Sequence, residues 1–276
     1  MKFFERKANQ KTGNSFPQSF QDNQPITIHA ALSQSVGKTR DHMEDAAFCL
    51  VLQQGFREQK PRVGLFVVAD GMGGHINGEL ASSIAIQKLI KTLDPAGLGE
   101  HESLDKDAIQ QKLDQAFVAA QQAVLESVQG GGSTLTAALV VDRDLFFGHV
   151  GDSRLYLVSE QGQAEVLTRD HTLVQRLVDL GQISPDEAEV HPQKNVLYRA
   201  LGQTDGFKVD SGHQQLKKPG HLLVCSDGLW GMVGKKKLLE VVRENTSADE
   251  RADKLCQLAN DAGGTDNITV IVVDLF

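Results

Sequence analysis

Four aspartates stand where a chain can aim a carboxylate away from a fixed backbone. Asp70 closes the run Val67-Val-Ala-Asp-Gly71, and Asp227 closes Leu223-Val-Cys-Ser-Asp-Gly228, so each ends an apolar stretch and is followed by glycine. Glycine lets the chain turn sharply and brings a carbonyl oxygen to close range. Asp152 follows the apolar run that ends at Val150, and Asp266 precedes the one that begins at Ile268. Carboxylates, carbonyls and water are hard oxygen ligands, the set that Mg2+ and Mn2+ prefer. The histidines and cysteines are not clustered in a way that suits zinc. One Asp-Gly after a strand is commonly only a turn. Four aspartates at strand ends weigh against turns alone, because carboxylates gathered within a few ångströms repel unless cations neutralise them.

The elements that position these acids can be read from hydrophobic spacing. Apolar or alternating runs predict strands over 26–32, 46–52, 63–69, 134–141, 145–150, 155–158, 222–225 and 267–275. Helical spacing predicts long helices over 79–93 and 105–128, amphipathic ones over 235–245 and 248–262, and short ones over 172–180 and 185–190. Gly130-Gly131-Gly132 stops the second long helix and reads as a turn, since it lacks the Lys-Ser/Thr of a phosphate-binding loop. Asp142-Arg143-Asp144 suits a tight hairpin connection. Strand runs separated by helix pairs are not the alternation of a doubly wound sheet. They predict an α+β domain: two packed, mainly antiparallel sheets with helices on their outer faces. In such a packing the four acids can converge on one edge.

Bulk properties narrow the class. The chain has 276 residues, 40% hydrophobic and 23% charged, enough to bury a sizeable core without staples. Its net charge of -8 argues against a nucleic-acid partner held by a broad basic face. Cys49, Cys225 and Cys256 have no close pairing and fit reduced thiols, so a cytoplasmic setting is expected. No apolar run approaches the ~20 residues of a membrane span. Residues 1–24 are rich in Gln, Asn, Lys and Ser and are expected to form a flexible tail ahead of one domain over 25–276.

Six segments then occur in a telling order: Gly37-Lys-Thr-Arg-Asp-His-Met-Glu-Asp45, Ala69-Asp-Gly-Met-Gly-Gly-His75, Gly132-Ser-Thr134, Gly148-His-Val-Gly-Asp-Ser-Arg154, Cys225-Ser-Asp-Gly-Leu-Trp230 and Gly264-Thr-Asp-Asn-Ile-Thr269. Together they make residues 30–276 resemble the metal-dependent serine/threonine protein phosphatases of the PPM, or type 2C, family. Met72 after Asp-Gly matches the bacterial form. The resemblance implies a four-layer αββα sandwich. It implies two Mn2+ or Mg2+ ions, with Asp70 bridging them, the Gly71 carbonyl completing one site, and Asp227 and Asp266 serving the other. Asp152 matches a residue that helps bind a third, weaker ion together with Asp227. Glu44 and Asp45 would hold metal-bound waters, and Asn267 would orient its neighbouring carboxylate and water.

The implied reaction is hydrolysis of phosphoserine and phosphothreonine, with no covalent phosphoenzyme. Two cations roughly 4 Å apart share a water and lower its pKa toward neutrality, so that hydroxide attacks phosphorus in line. Arg40 is the natural clamp for the phosphate, because a guanidinium binds two of its oxygens at once. Animal enzymes of the family carry a histidine where Met72 stands, so that histidine's role as the acid for the leaving group cannot be carried over. His75, His42 and a metal-bound water are the alternatives. Residues 168–202 resemble the family's variable flap, with His171, His191 and Arg199 given no catalytic role. Trp230 is expected to pack beneath the site. The expected partners are phosphorylated proteins, in a signalling role that opposes a Ser/Thr kinase, and the expected state is a monomer. Two rivals stay open: a phosphatase for a small phosphorylated molecule, and an inactive metal-binding scaffold.

Overall fold

The computed structural model describes residues 26–52, 62–74, 76–99 and 105–276. The expectations for the 1–24 tail and for His75 lie outside these residues. The described strands are β1 (Ile28–Ser35), β2 (Ala46–Leu52), β3 (Val63–Ala69), β4 (Gly71–Met72), β5 (Gly132–Ser133), β6 (Leu135–Val141), β7 (Asp144–Val150), β8 (Arg154–Ser159), β9 (Ala164–Val166), β10 (Asp210–Gln215), β11 (Gly220–Cys225) and β12 (Ile268–Leu275). The helices are α1 (Ile76–Leu93), α2 (Pro95–Leu98), α3 (Lys106–Ser127), α4 (Leu173–Asp179), α5 (Pro185–Glu189), α6 (Asp227–Trp230), α7 (Lys235–Val242) and α8 (Ala248–Asp261).

Two antiparallel sheets form, in the orders β1-β12-β11-β8-β9 and β10-β7-β6-β3-β2. The side-chain period of two along a strand sends alternate residues to opposite faces. In β3, Phe66 and Val68 enter the core between the sheets, with Ala138, Leu155, Val224 and Ile271. Leu65 and Val67 face the other way, onto Ala85 and Leu89 of α1 and Leu113 and Phe117 of α3. A third core joins Leu223, Val270 and Val272 to Leu238 of α7 and Ala252 and Leu255 of α8. Each fully buried Leu or Phe contributes on the order of 2 kcal/mol, so three such cores explain why both sheets are apolar on two faces. The result is the four-layer αββα sandwich.

Helix starts follow local chemistry. Ser184 and Ser247 form capping boxes with Glu187 and Glu250, and Asp105 and Thr172 cap α3 and α4. The helix expected over 235–245 stops at Val242. The Gly130-Gly131-Gly132 turn is corrected at its last residue. Gly132 pairs with Met72 in the short β4–β5 ladder, so close to the Leu201 carbonyl that a Cβ would lie 2.6 Å from it. The strand β10 was not expected. Its sequence Asp-Ser-Gly-His-Gln-Gln has no apolar residue, and pairing with β7 at the sheet edge makes it a strand. Among the described residues no helix is long and apolar enough to cross a membrane.

Candidate active site

β3 and β7 flank β6 and both run antiparallel to it, so their C-terminal ends share an edge. β11 ends beside the start of β12, with Cys225 opposite Val270 and the Ser226 N–H donating to the Thr269 carbonyl at 3.1 Å. Asp70, Asp152, Asp227 and Asp266 therefore leave both sheets at one end of the sandwich, as their strand-end positions predict. They act on each other: the Asp70 carboxyl feels the charges of Asp45, Asp227, Asp152 and Asp266, and the Asp227 carboxyl feels Asp266 and Asp70.

The electrostatic cost is large. Burial, then these neighbouring charges, pushes Asp70 well above the usual carboxylate range. Asp152 moves the same way, through burial first and then Asp227 and Asp170, against the pull of Arg154. Burial and Asp266 push Asp227 up to about 6, although Asp70 and Arg40 oppose the shift. Buried carboxylates in one low-dielectric spot cannot all ionise unless they keep protons or gain a cation. Asp227 Oδ1 is moreover buried with no hydrogen-bond partner, an orphan of the kind an ion satisfies. The donors are all oxygen, the set that suits Mn2+ or Mg2+. Among the described residues no group of three or more Asp, Glu, His or Cys side chains is placed to hold a metal ion by itself. A cation here would draw its remaining ligands from carbonyls and water, as Mg2+ commonly does.

The supporting bonds are specific. The Asp70 N–H donates to Thr134 Oγ1 at 2.8 Å, and its carbonyl accepts from the Thr134 N–H at 2.8 Å. Thr134 thus fixes the Asp70 backbone from both sides, a role that the Gly132-Ser-Thr134 segment did not disclose. Asp45 is buried, and its Oδ2 accepts from Ser226 Oγ at 2.8 Å and Thr269 Oγ1 at 2.7 Å. Burial outweighs those bonds and pushes Asp45 up to about 7. The Asn267 side chain holds the preceding loop: its Oδ1 accepts from the Glu44 N–H at 2.6 Å, and its Nδ2 donates to the carbonyls of Val36 and His42. The neighbouring Asp266 is oriented instead by the Asn267 backbone N–H, at 2.8 Å to Oδ1.

The glycines after Asp70 and Asp227 were expected to permit turning. Neither has a left-handed φ; both are required by crowding. A Cβ on Gly71 would lie 2.2 Å from the Gly78 carbonyl oxygen, and one on Gly228 would lie 1.9 Å from that of Asn267. At the rim, Arg40 donates to Asp266 Oδ2 at 2.8 Å. His42 pairs with Asp41 at 3.0 Å. Met72 packs against Gly132. Trp230 donates its Nε1–H to the Asp152 carbonyl at 3.0 Å beneath the site.

The family model of protein phosphatase 2C matches residues 42–264. The chain belongs to the protein phosphatase 2C family. A serine/threonine phosphatase, Stp, of Listeria welshimeri is 35% identical over 251 residues, covering 90% of this chain and 96% of the relative. The Streptococcus agalactiae serine/threonine phosphatase structure superposes with a TM-score of 0.78 at 32% identity, covering 90% of this chain and 99% of that one. The catalytic domain of the phosphatase PstP, solved in complex with two manganese ions, gives a TM-score of 0.74 at 32% identity, with coverage of 91% and 99%. In this protein phosphatase 2C, Arg40, Asp266 and Asn267 fall just outside the matched span. The hydrogen bonds above bring all three to the site.

Proposed function

We propose that this chain is a metal-dependent phosphoprotein phosphatase that hydrolyses phosphoserine and phosphothreonine through a site built on Asp70. The observation that carries the reading is the cluster of buried and half-buried aspartyl carboxyls at one sandwich end, with the orphaned Oδ1 of Asp227 among them. The serine/threonine phosphatases among its relatives, and the two manganese ions of the PstP structure, support it.

Two Mn2+ or Mg2+ ions, when bound, supply an acidified water and neutralise phosphate charge. Asp70 and the Gly71 carbonyl would hold one ion, and Asp70, Asp227 and Asp266 would serve the other. Asp152 with Asp227 would serve a third, weaker ion. Glu44 and Asp45 hold and orient water, and Asn267 fixes the loop that carries them. Arg40 leaves Asp266 to take two phosphate oxygens, binding and orienting the monoester. His75, His42 or a metal-bound water would give a proton to the departing serine or threonine oxygen.

The domain is assigned to residues 25–276, acting as a cytoplasmic monomer in signalling that opposes a Ser/Thr kinase. The substrate class is tested by phosphate release from a phosphothreonine peptide and from a small sugar phosphate, each alone and in competition, with Mn2+ present. A higher kcat/KM on the peptide is expected. A preference for the small phosphate would transfer the same site to a metabolite phosphatase, and no release from either would favour an inactive scaffold.

A further inference from the structure

Asp152 lies in a turn that is held from both sides by two consecutive residues, Asp170 and His171. Before it, Gly151 has φ +111°, and a Cβ there would lie 2.5 Å from Thr134, the residue that fixes Asp70. Glycine takes this φ without steric cost, and because it is free to take others the turn gets its hold from outside partners. His171 supplies it twice. Its N–H donates to the Gly151 carbonyl at 2.7 Å, and the Gly151 N–H donates to His171 Nδ1 at 3.0 Å. After Asp152, Arg154 donates from Nε and Nη2 to the two oxygens of Asp170 at 3.0 and 2.6 Å. Arg154 also lies over the Trp230 ring, 3.6 Å from its centroid, while Trp230 donates to the Asp152 carbonyl.

The Gly151 bond fixes the imidazole tautomer. Since Nδ1 accepts, the ring proton sits on Nε2, where Asp210 Oδ2 accepts it at 3.0 Å. Arg199 Nη1 donates to the other Asp210 oxygen at 2.8 Å. Its 2.9 Å approach to Nε2 is then that of two donors sharing one carboxylate. His171 is almost fully buried, and Tyr198 donates its N–H to the His171 carbonyl at 2.9 Å. Both ends of the 173–197 segment are therefore joined at the His171 backbone.

We propose that His171 is a positioning residue whose Nδ1 holds the Gly151 N–H and so aims the Asp152 carboxyl at the aspartate cluster, with Asp210 setting the tautomer that makes this possible. The proposal rests on the reading that Asp152 serves a cation. His171→Asn keeps an acceptor where Nδ1 stood. His171→Gln removes that acceptor and keeps a donor reaching toward Asp210. Trp230 is the only tryptophan in the chain, so its emission reports the Asp152 turn directly.

In His171→Gln, kcat with Mn2+ on a phosphopeptide should fall about tenfold with KM little changed, which corresponds to one lost hydrogen bond of roughly 1.4 kcal/mol in the activated complex. Its Trp230 emission should shift to the red and quench more readily with iodide, with or without Mn2+. His171→Asn should recover most of both signals. Asp210→Ala, at a side chain 40% exposed, should fold and show a smaller change of the same kind. Equal kcat and equal emission in the Asn and Gln variants would overturn the proposal, as would unaltered emission in Asp210→Ala should the Gln variant not fold. If the wild-type protein releases no phosphate, the reading of the site fails, while emission recorded without substrate or cation still decides the role of His171.

Discussion

Arg40 Nη2 and Asp266 Oδ2 lie 2.8 Å apart, so the guanidinium assigned to phosphate rests on a carboxylate assigned to a cation. Burial disfavours the Arg40 charge, but Asp266, then Glu44 and Asp70, outweigh it and raise its pKa, so Arg40 stays cationic throughout the working range. On the proposed reading the pair is an exchange: a cation at Asp266 would free the guanidinium for phosphate.

Arg40→Ala should therefore raise KM for a phosphopeptide by roughly tenfold or more, the effect of losing charge-assisted bonds of about 1.5–3 kcal/mol, with a smaller effect on kcat. Arg40→Lys should fall between, since an ammonium cannot grip two oxygens in one plane. Steady-state kinetics decide, and an unchanged KM in Arg40→Ala removes the clamp.

The glycine after Asp227 offers a packing test. Gly228→Ala must push a methyl into the Asn267 carbonyl, at 1.9 Å, and should cost about 1–3 kcal/mol of stability together with most of the activity. Gly234→Ala is the control, because a Cβ there meets nothing within 4 Å and its φ is ordinary. Thermal melting of the two variants checks the contrast; equal melting temperatures would contradict it.

A second buried charge network holds α8 to its sheet. Arg251 donates to Asp274, to the Val242 carbonyl at 2.6 Å and to the Ser247 carbonyl at 3.2 Å, and His221 Nδ1 lies 2.7 Å from Asp274. Burial alone would raise the Asp274 pKa, but the bonds from His221 and Arg251 outweigh it and lower it. A lowered carboxylate stabilises the fold above the usual carboxylate range and loses that contribution as pH falls through its folded pKa. Arg251→Met should destabilise by about 3–5 kcal/mol at neutral pH, and the difference from the wild type should shrink as pH falls through the folded Asp274 pKa. Denaturant melts at several pH values test both, and a difference independent of pH would refute the linkage.

The aspartate cluster has the opposite sign. Burial first, then mutual repulsion, raises Asp45, Asp70, Asp152 and Asp227 in the metal-free protein. Their folded-state protons stabilise it fully below the unfolded carboxylate pKa of about 4, and for Asp227 and Asp45 that contribution is lost as pH rises through about 6 to 7. The melting temperature in chelator should fall across that window, and the gain on adding Mn2+ should grow with pH. Asp152→Asn should flatten the chelator curve. A Mn2+ gain independent of pH would count against cation binding at these carboxyls.

Much of this was legible in the sequence where burial writes a pattern. β2 and β3 match their apolar runs end to end, because each needs hydrophobic side chains along its whole length. β10 was invisible, since only its backbone pairs and its side chains are all polar. The aspartates were readable because strand ends are. Their supports were not: Thr134 lies 64 residues from Asp70 and Ser226 lies 181 from Asp45, and those bonds exist only once the strands pair. The two Asp-Gly glycines were recognised for the wrong reason, as turn-formers, when close backbone approach requires them.

The central claim is that Asp70 and its neighbours hold the cations on which phosphate release depends. The most direct measurement pairs Mn2+ calorimetry with phosphate release from a phosphothreonine peptide, on the wild type and Asp70→Asn. The wild type should bind Mn2+, release phosphate, and stop in chelator. Asp70→Asn should bind Mn2+ weakly and lose activity on the order of a thousandfold, about 4 kcal/mol of barrier. Full wild-type activity in chelator, or an Asp70→Asn variant that binds Mn2+ and turns over like the wild type, would contradict it.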